Sequence, residues 1–98
     1  MDLGPFLGKL RELCRENDIA MLGVFGSVAR GEDSPNSDID LLVKLNKPIG
    51  LVGYIQLEDK LVAILRRKVD LATEAALHPL IRQDIMKDLK ILYENQKR

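Results

Sequence analysis

"GSVARGEDSPNSDIDLLV", residues 26–43, sets two acids, Asp38 and Asp40, at the mouth of an aliphatic run that follows a turn-rich loop. Side chains alternate along a strand, so Asp38 and Asp40 share one face and Ile39 takes the other. Like charges this close repel, and a buried carboxylate without a partner is costly or takes up a proton. The pair therefore calls for a positive group close beside it.

On its N-terminal side lies an apolar run, residues 19–25, with Gly23 inside and Gly26-Ser27 directly after. This predicts a first buried strand, and Gly23 marks a place where another backbone or a ligand comes close. Residues 27–31 suffice for one helical turn. Further upstream, Leu3, Phe6, Leu7, Leu10, Leu13 and Cys14 recur at three- and four-residue steps, the stripe of an amphipathic helix. Pro5 fits its first turn, where the missing N–H is no loss, and Asn17-Asp18 ends it.

On the C-terminal side, residues 32–37 form a loop that Pro35 fixes and Asn36 and Ser37 cap. Residues 38–45 are predicted as the second strand, closed by Lys47-Pro48. A helix follows over residues 51–67, with Tyr54, Leu57, Leu61, Ile64 and Leu65 inward. Val52, Ile55 and Val62 lie off that stripe and suit either extra core packing or a partner surface. Residues 69–73 read as a third strand carrying Asp70. Pro79 opens a helix to Asp88 with Leu80, Ile81 and Ile85 turned inward, and residues 90–93 make a last strand. The order predicts an α/β (α+β) fold, a small mixed sheet of about four strands with helices packed on it, in one domain over residues 1–98.

Composition narrows the function classes. The chain has 98 residues, 46% of them hydrophobic, so its core is real but modest. Fifteen acidic and fifteen basic residues balance, which gives no net field for nonspecific nucleic-acid or membrane binding. Local clusters, Arg66-Arg67-Lys68 and Lys97-Arg98, read as solvated helix ends. The single cysteine, Cys14, excludes an intrachain disulfide and reads as core packing. No apolar run approaches the ~20 residues of a membrane span and no secretion signal opens the chain, so a cytoplasmic protein is expected. His78, before Pro79, reads as a loop or helix-start residue, and Tyr54 and Tyr93 as packed rings with exposed hydroxyls.

The acids carry the chemistry. Val69-Asp70-Leu71 repeats the form of Ile39-Asp40-Leu41, so a third carboxylate joins the pair if its strand lies alongside. A hard divalent cation such as Mg²⁺ turns that repulsion into binding. Two such ions about 4 Å apart can hold the attacking and leaving oxygens of a displacement at phosphorus. Gly26 lets backbone approach a ligand, and Ser27 adds a hydroxyl beside N–H groups suited to phosphate. Arg30 brings a planar fork for phosphate oxygens. The structural alternatives are a capping role for Asp38, an ion pair from Asp40 to Lys44 or Arg30, and a loop-orienting role for Arg30 through Glu32 or Asp33.

Gly26-Ser27, ten intervening residues, Asp38-x-Asp40 and a later strand acid at Asp70 together resemble the signature of the polymerase-β-like nucleotidyltransferase superfamily. With "VDLATEAALHPLIRQDIMKD" following, the chain resembles the minimal nucleotidyltransferase (MNT) family over nearly its whole length. The resemblance implies that Asp38 and Asp40 bind two Mg²⁺ ions, and that Asp70 binds the catalytic one and helps deprotonate the acceptor. It implies that Gly26, Ser27 and Arg30 hold the phosphates of ATP. It further implies an antitoxin that transfers AMP to a tyrosine of a partner HEPN ribonuclease toxin. Neutralisation by contact alone, and transfer to RNA or a small molecule, are the other readings.

Overall fold

The computed structural model describes residues 1–95; the Lys97-Arg98 cluster lies outside the described residues. A single 3₁₀ turn, Gly4–Phe6, carries Pro5 and leads into α1, Leu7–Glu16. Leu10, Leu13 and Cys14 form its buried stripe. Burial pushes the Cys14 thiol up to about 12, which suits an inert packing residue. The chain reverses at Asp18, whose φ of 55° lies in the left-handed region that aspartate tolerates, and enters β1, Ile19–Phe25. Then come α2, Gly26–Arg30, β2, Ile39–Leu45, and α3, Gly50–Leu65. After these follow β3, Val69–Thr73, α4, Pro79–Asp88, and β4, Lys90–Glu94.

The four strands form one mixed sheet in the order β3-β2-β1-β4. β1 pairs antiparallel with β2 and β4, while β2 and β3 run parallel. Parallel neighbours need a crossover, and α3 supplies it. Ile39, Leu41 and Val43 of β2 face the main core with Leu10 of α1 and Leu57, Leu61 and Leu65 of α3. The intervening positions, Asp40 and Leu42, face the other side, where a smaller cluster of Met21, Leu42 and Ile85 seats α4. The sheet therefore has one thickly and one thinly covered face.

That asymmetry corrects one expectation. Leu80 and Ile81 are not turned inward; they are 68% and 55% exposed, and Ile85 alone of the three is buried. The small cluster is already filled around Ile85 by Phe25, Ala72, Leu77 and Leu89, so the first turn of α4 overhangs it. Gly23 is crowded by protein: a Cβ there would stand 2.5 Å from Leu89 Cδ1 and 3.3 Å from the Lys90 carbonyl oxygen. The Tyr54 hydroxyl is not free either, since it donates to the Leu71 carbonyl.

The basic run after α3 is likewise not a solvated helix end throughout. Arg66 takes a left-handed conformation, φ 58°, which ends α3 and turns Arg67 inward. Arg67 Nη1 bonds Asp33 Oδ2 at 3.0 Å, and Nη2 bonds the Ser34 and Ser37 carbonyls at 2.8 and 2.6 Å. The Met1 ammonium also reaches Asp33, at 2.9 Å. These two partners, the ammonium first, hold the Asp33 carboxyl below the usual carboxylate range. Its stabilising contribution is full above the unfolded value, about 3.9, and is lost as pH falls through the lower folded value. Asp33→Asn should therefore melt below the parent at neutral pH, with the gap closing as pH drops under about 4; circular-dichroism melts across pH check this.

Candidate active site

The parallel register sets Asp40 directly beside Asp70. Paired residues of adjacent strands project to the same face, so both carboxylates stand on the thinly covered side of the sheet. Asp38 precedes β2 by one residue and is half-buried, as is Asp40, whereas Asp70 is exposed. Burial holds the Asp40 carboxyl above the usual range; the charges of Asp70 and then Asp38 push the same way, and Arg30 opposes them. Among the described residues no lysine or arginine forms an ion pair with Asp38, Asp40 or Asp70. The alternative in which Lys44 or Arg30 neutralises Asp40 by direct pairing is thus not what the molecule does.

Phe25 stands opposite Asp40 in the antiparallel register, which brings Gly26 against the same carboxylate. Gly26 has φ 70°, and a Cβ on it would lie 2.2 Å from Asp40 Oδ2. Only a bare glycine backbone fits between the end of β1 and this acid. Ser27 follows in the first turn of α2, half-buried, with its carbonyl accepting from the Glu32 N–H at 2.9 Å. The structure so brings Gly26, Asp38 and Asp70 to Asp40 from three separate stretches of chain, with Ser27 next to Gly26 in sequence.

Arg30 sits at the edge of this group. Its Nε bonds Glu32 at 2.8 Å and its Nη1 bonds Asp88 at 2.7 Å, which ties α2 to the end of α4. These contacts fit the loop-orienting alternative, although Arg30 stays within electrostatic reach of Asp40. His78 caps α4, its Nδ1 accepting from the Leu80 N–H at 3.2 Å, as a helix-start residue should. Ser37 is a turn residue, its hydroxyl accepting from the Ser34 N–H at 2.9 Å.

Whether these acids suit a metal follows from their donors. All are oxygens, and their shared charge is uncompensated by any ion pair among the described residues, which is the environment a hard divalent cation stabilises. Among the described residues no three His, Cys, Asp or Glu side chains are drawn into a ready metal cage; the acids instead meet through Asp40. Asp40 is therefore the residue on which a cation's fit depends.

Sequence reasoning did not anticipate a cavity of about 1120 Å³ at the far end of β2 and β3. Lys44, Tyr54, Thr73, Glu74 and Arg82 are among the residues that line it, and none of the signature residues does. Nor did it single out Arg67, whose charge run resembles an ordinary helix end. Among the described residues no helix is long and apolar enough to cross a membrane.

Comparison with known proteins adds a family to this geometry. Residues 7–92 match the family described as nucleotidyltransferase domain. A Methanocaldococcus jannaschii protein described as a candidate protein adenylyltransferase is 39% identical, across 81% of this chain and 82% of its own. The protein adenylyltransferase MntA of Thermococcus cleftensis is 34% identical, across 81% of this chain and 80% of its own. Among solved structures, a toxin–antitoxin crystal structure with AMP-PNP superposes with a TM-score of 0.79 at 27% identity, covering 92% of this chain and 74% of that one.

Proposed function

This chain belongs to the nucleotidyltransferase domain family, and from that premise we propose that it is a Mg²⁺-dependent protein adenylyltransferase, the antitoxin that moves AMP from ATP to a tyrosine of a HEPN ribonuclease toxin. The observation that carries this reading is Asp40, flanked by Asp70 across β2 and β3 and packed against the bare backbone of Gly26. The protein adenylyltransferase name of the MntA relative and the AMP-PNP in a toxin–antitoxin neighbour support it.

In this reading Asp38 and Asp40 would hold two Mg²⁺ ions and Asp70 would bind the catalytic one. When bound, such ions would supply positive charge against the triphosphate. Gly26 and Ser27 offer backbone N–H groups and a hydroxyl to the terminal phosphates, and Arg30 adds charge from the rim. Asp70 takes the proton of the acceptor hydroxyl. The freed oxygen bonds to the α-phosphorus while the bond to the β-phosphate oxygen breaks, and pyrophosphate leaves. Orientation and electrostatics carry the rate, with no covalent enzyme intermediate.

One feature favours the contact-only reading as well. Leu51, Val52 and Ile55 of α3 are 73%, 69% and 47% exposed, an apolar face fit for a protein partner. Incubation with ATP labelled at the α-phosphate, Mg²⁺ and a HEPN partner separates the two. Transfer of label to the partner's tyrosine, with pyrophosphate released, is the expected result. A neutralised but unlabelled partner would leave contact alone as the function.

A further inference from the structure

Asp38 makes no turn of its own that would aim it, yet the backbone on both sides of it is fastened. Before it, the Ser37 carbonyl accepts from Arg67 Nη2 at 2.6 Å. After it, the Ile39 N–H donates to the Lys68 carbonyl at 2.9 Å. Both anchors come from consecutive residues that run straight into β3 and Asp70. Residues 67–70 therefore grip the entry to β2 at one end and present the third acid at the other.

We propose that Arg67 is the positioning residue of this site: by locking the peptide group between Ser37 and Asp38, it aims Asp38 and Asp40 at the cation. The proposal rests on the reading of those acids as Mg²⁺ ligands. The guanidinium is suited to the task because it is only 17% exposed and spans two carbonyls and a carboxylate at once. A planar fork can do this with little loss of freedom, whereas a lysine ammonium is a single point of charge. Among the described residues, Arg67 Nε has no hydrogen-bond partner, so the fork of Nη1 and Nη2 makes all of its contacts.

Calorimetric titration of AMP-PNP into the full chain, with and without Mg²⁺, tests the assignment on three proteins. In Arg67→Lys the Mg²⁺-dependent affinity should fall about 10–100-fold, the usual loss when a supporting contact behind a ligand is removed, with metal-free binding unchanged. Asp33→Asn, which keeps both carbonyl bonds while weakening the loop, should retain the parent's Mg²⁺ dependence. A parental Mg²⁺ response in Arg67→Lys overturns the proposal, and so does an equal loss in Asp33→Asn, which would reduce Arg67 to a loop staple. Should Arg67→Lys fail to fold, the parent protein still decides: its Arg67 Nη protons should give separate, slowly exchanging NMR signals, and one averaged signal overturns the lock. A parent that shows no Mg²⁺-dependent uptake overturns the functional reading and this proposal with it.

Discussion

Asp40→Asn should lower AMP transfer by about a thousandfold while raising the melting temperature of the metal-free protein. The first effect is what the proposed function predicts: a cation held by Asp40 would lend several kcal/mol to the charge that develops in the transition state, and about 4 kcal/mol is three orders of magnitude. The second follows from the unbalanced field at Asp40. Its folded pKa is raised by burial and by Asp70 and Asp38, so its ionised form costs stability at neutral pH, and that cost fades as pH falls through the raised value. Asparagine keeps the shape and removes the charge. Labelled-ATP turnover and differential scanning fluorimetry without metal read the two effects separately. A joint fall in turnover and melting temperature would make Asp40 a structural residue and refute the assignment.

Gly26→Ala should lose activity and stability together, for two separable reasons. An L-residue in the left-handed region costs about 1–2 kcal/mol, and Gly26 has φ 70°. At roughly 4–8 °C per kcal/mol for a domain of this size, the melting temperature should drop by about 5–15 °C. The new methyl would also stand 2.2 Å from Asp40 Oδ2 and 3.1 Å from its Cγ, so the carboxylate must swing aside. Misplacing a reacting group by about 1 Å costs on the order of a hundredfold in rate. Gly31→Ala separates the causes, because Gly31 has φ 72° and nothing within 4 Å of the added carbon. That variant should share the stability loss and keep its turnover. Equal loss of turnover in both would mean that strain, not displacement of Asp40, governs the site.

The sequence is legible where its signals are local. β1, β3 and α4 fall where aliphatic runs and Gly or Pro punctuation place them, and Pro79 opens α4 as read. β2 starts one residue later, leaving Asp38 outside the ladder. The site's two motifs are likewise local, Gly26-Ser27 at a strand end and Asp38-x-Asp40 at a strand start. Their meeting with Asp70 is not, because no residue near position 70 encodes that β3 runs parallel beside β2. Leu80 and Ile81 mislead for a related reason: their spacing from Ile85 marks a helix face, while burial depends on how far the neighbouring layer extends. Arg67 escapes because a basic triplet looks the same whether it meets water or carbonyl oxygens, and only the reversal at Arg66 decides between them.

The parallel pairing of β2 with β3 has a consequence for how the protein comes into being. A hairpin can close as soon as its second strand is made, but these partners meet only after the whole α3 crossover has been synthesised and folded back. A nascent chain on the ribosome therefore holds Asp38 and Asp40 for some thirty residues of elongation with no Asp70 beside them. The three acids are therefore assembled last, when β3 docks beside β2 and the sheet is completed.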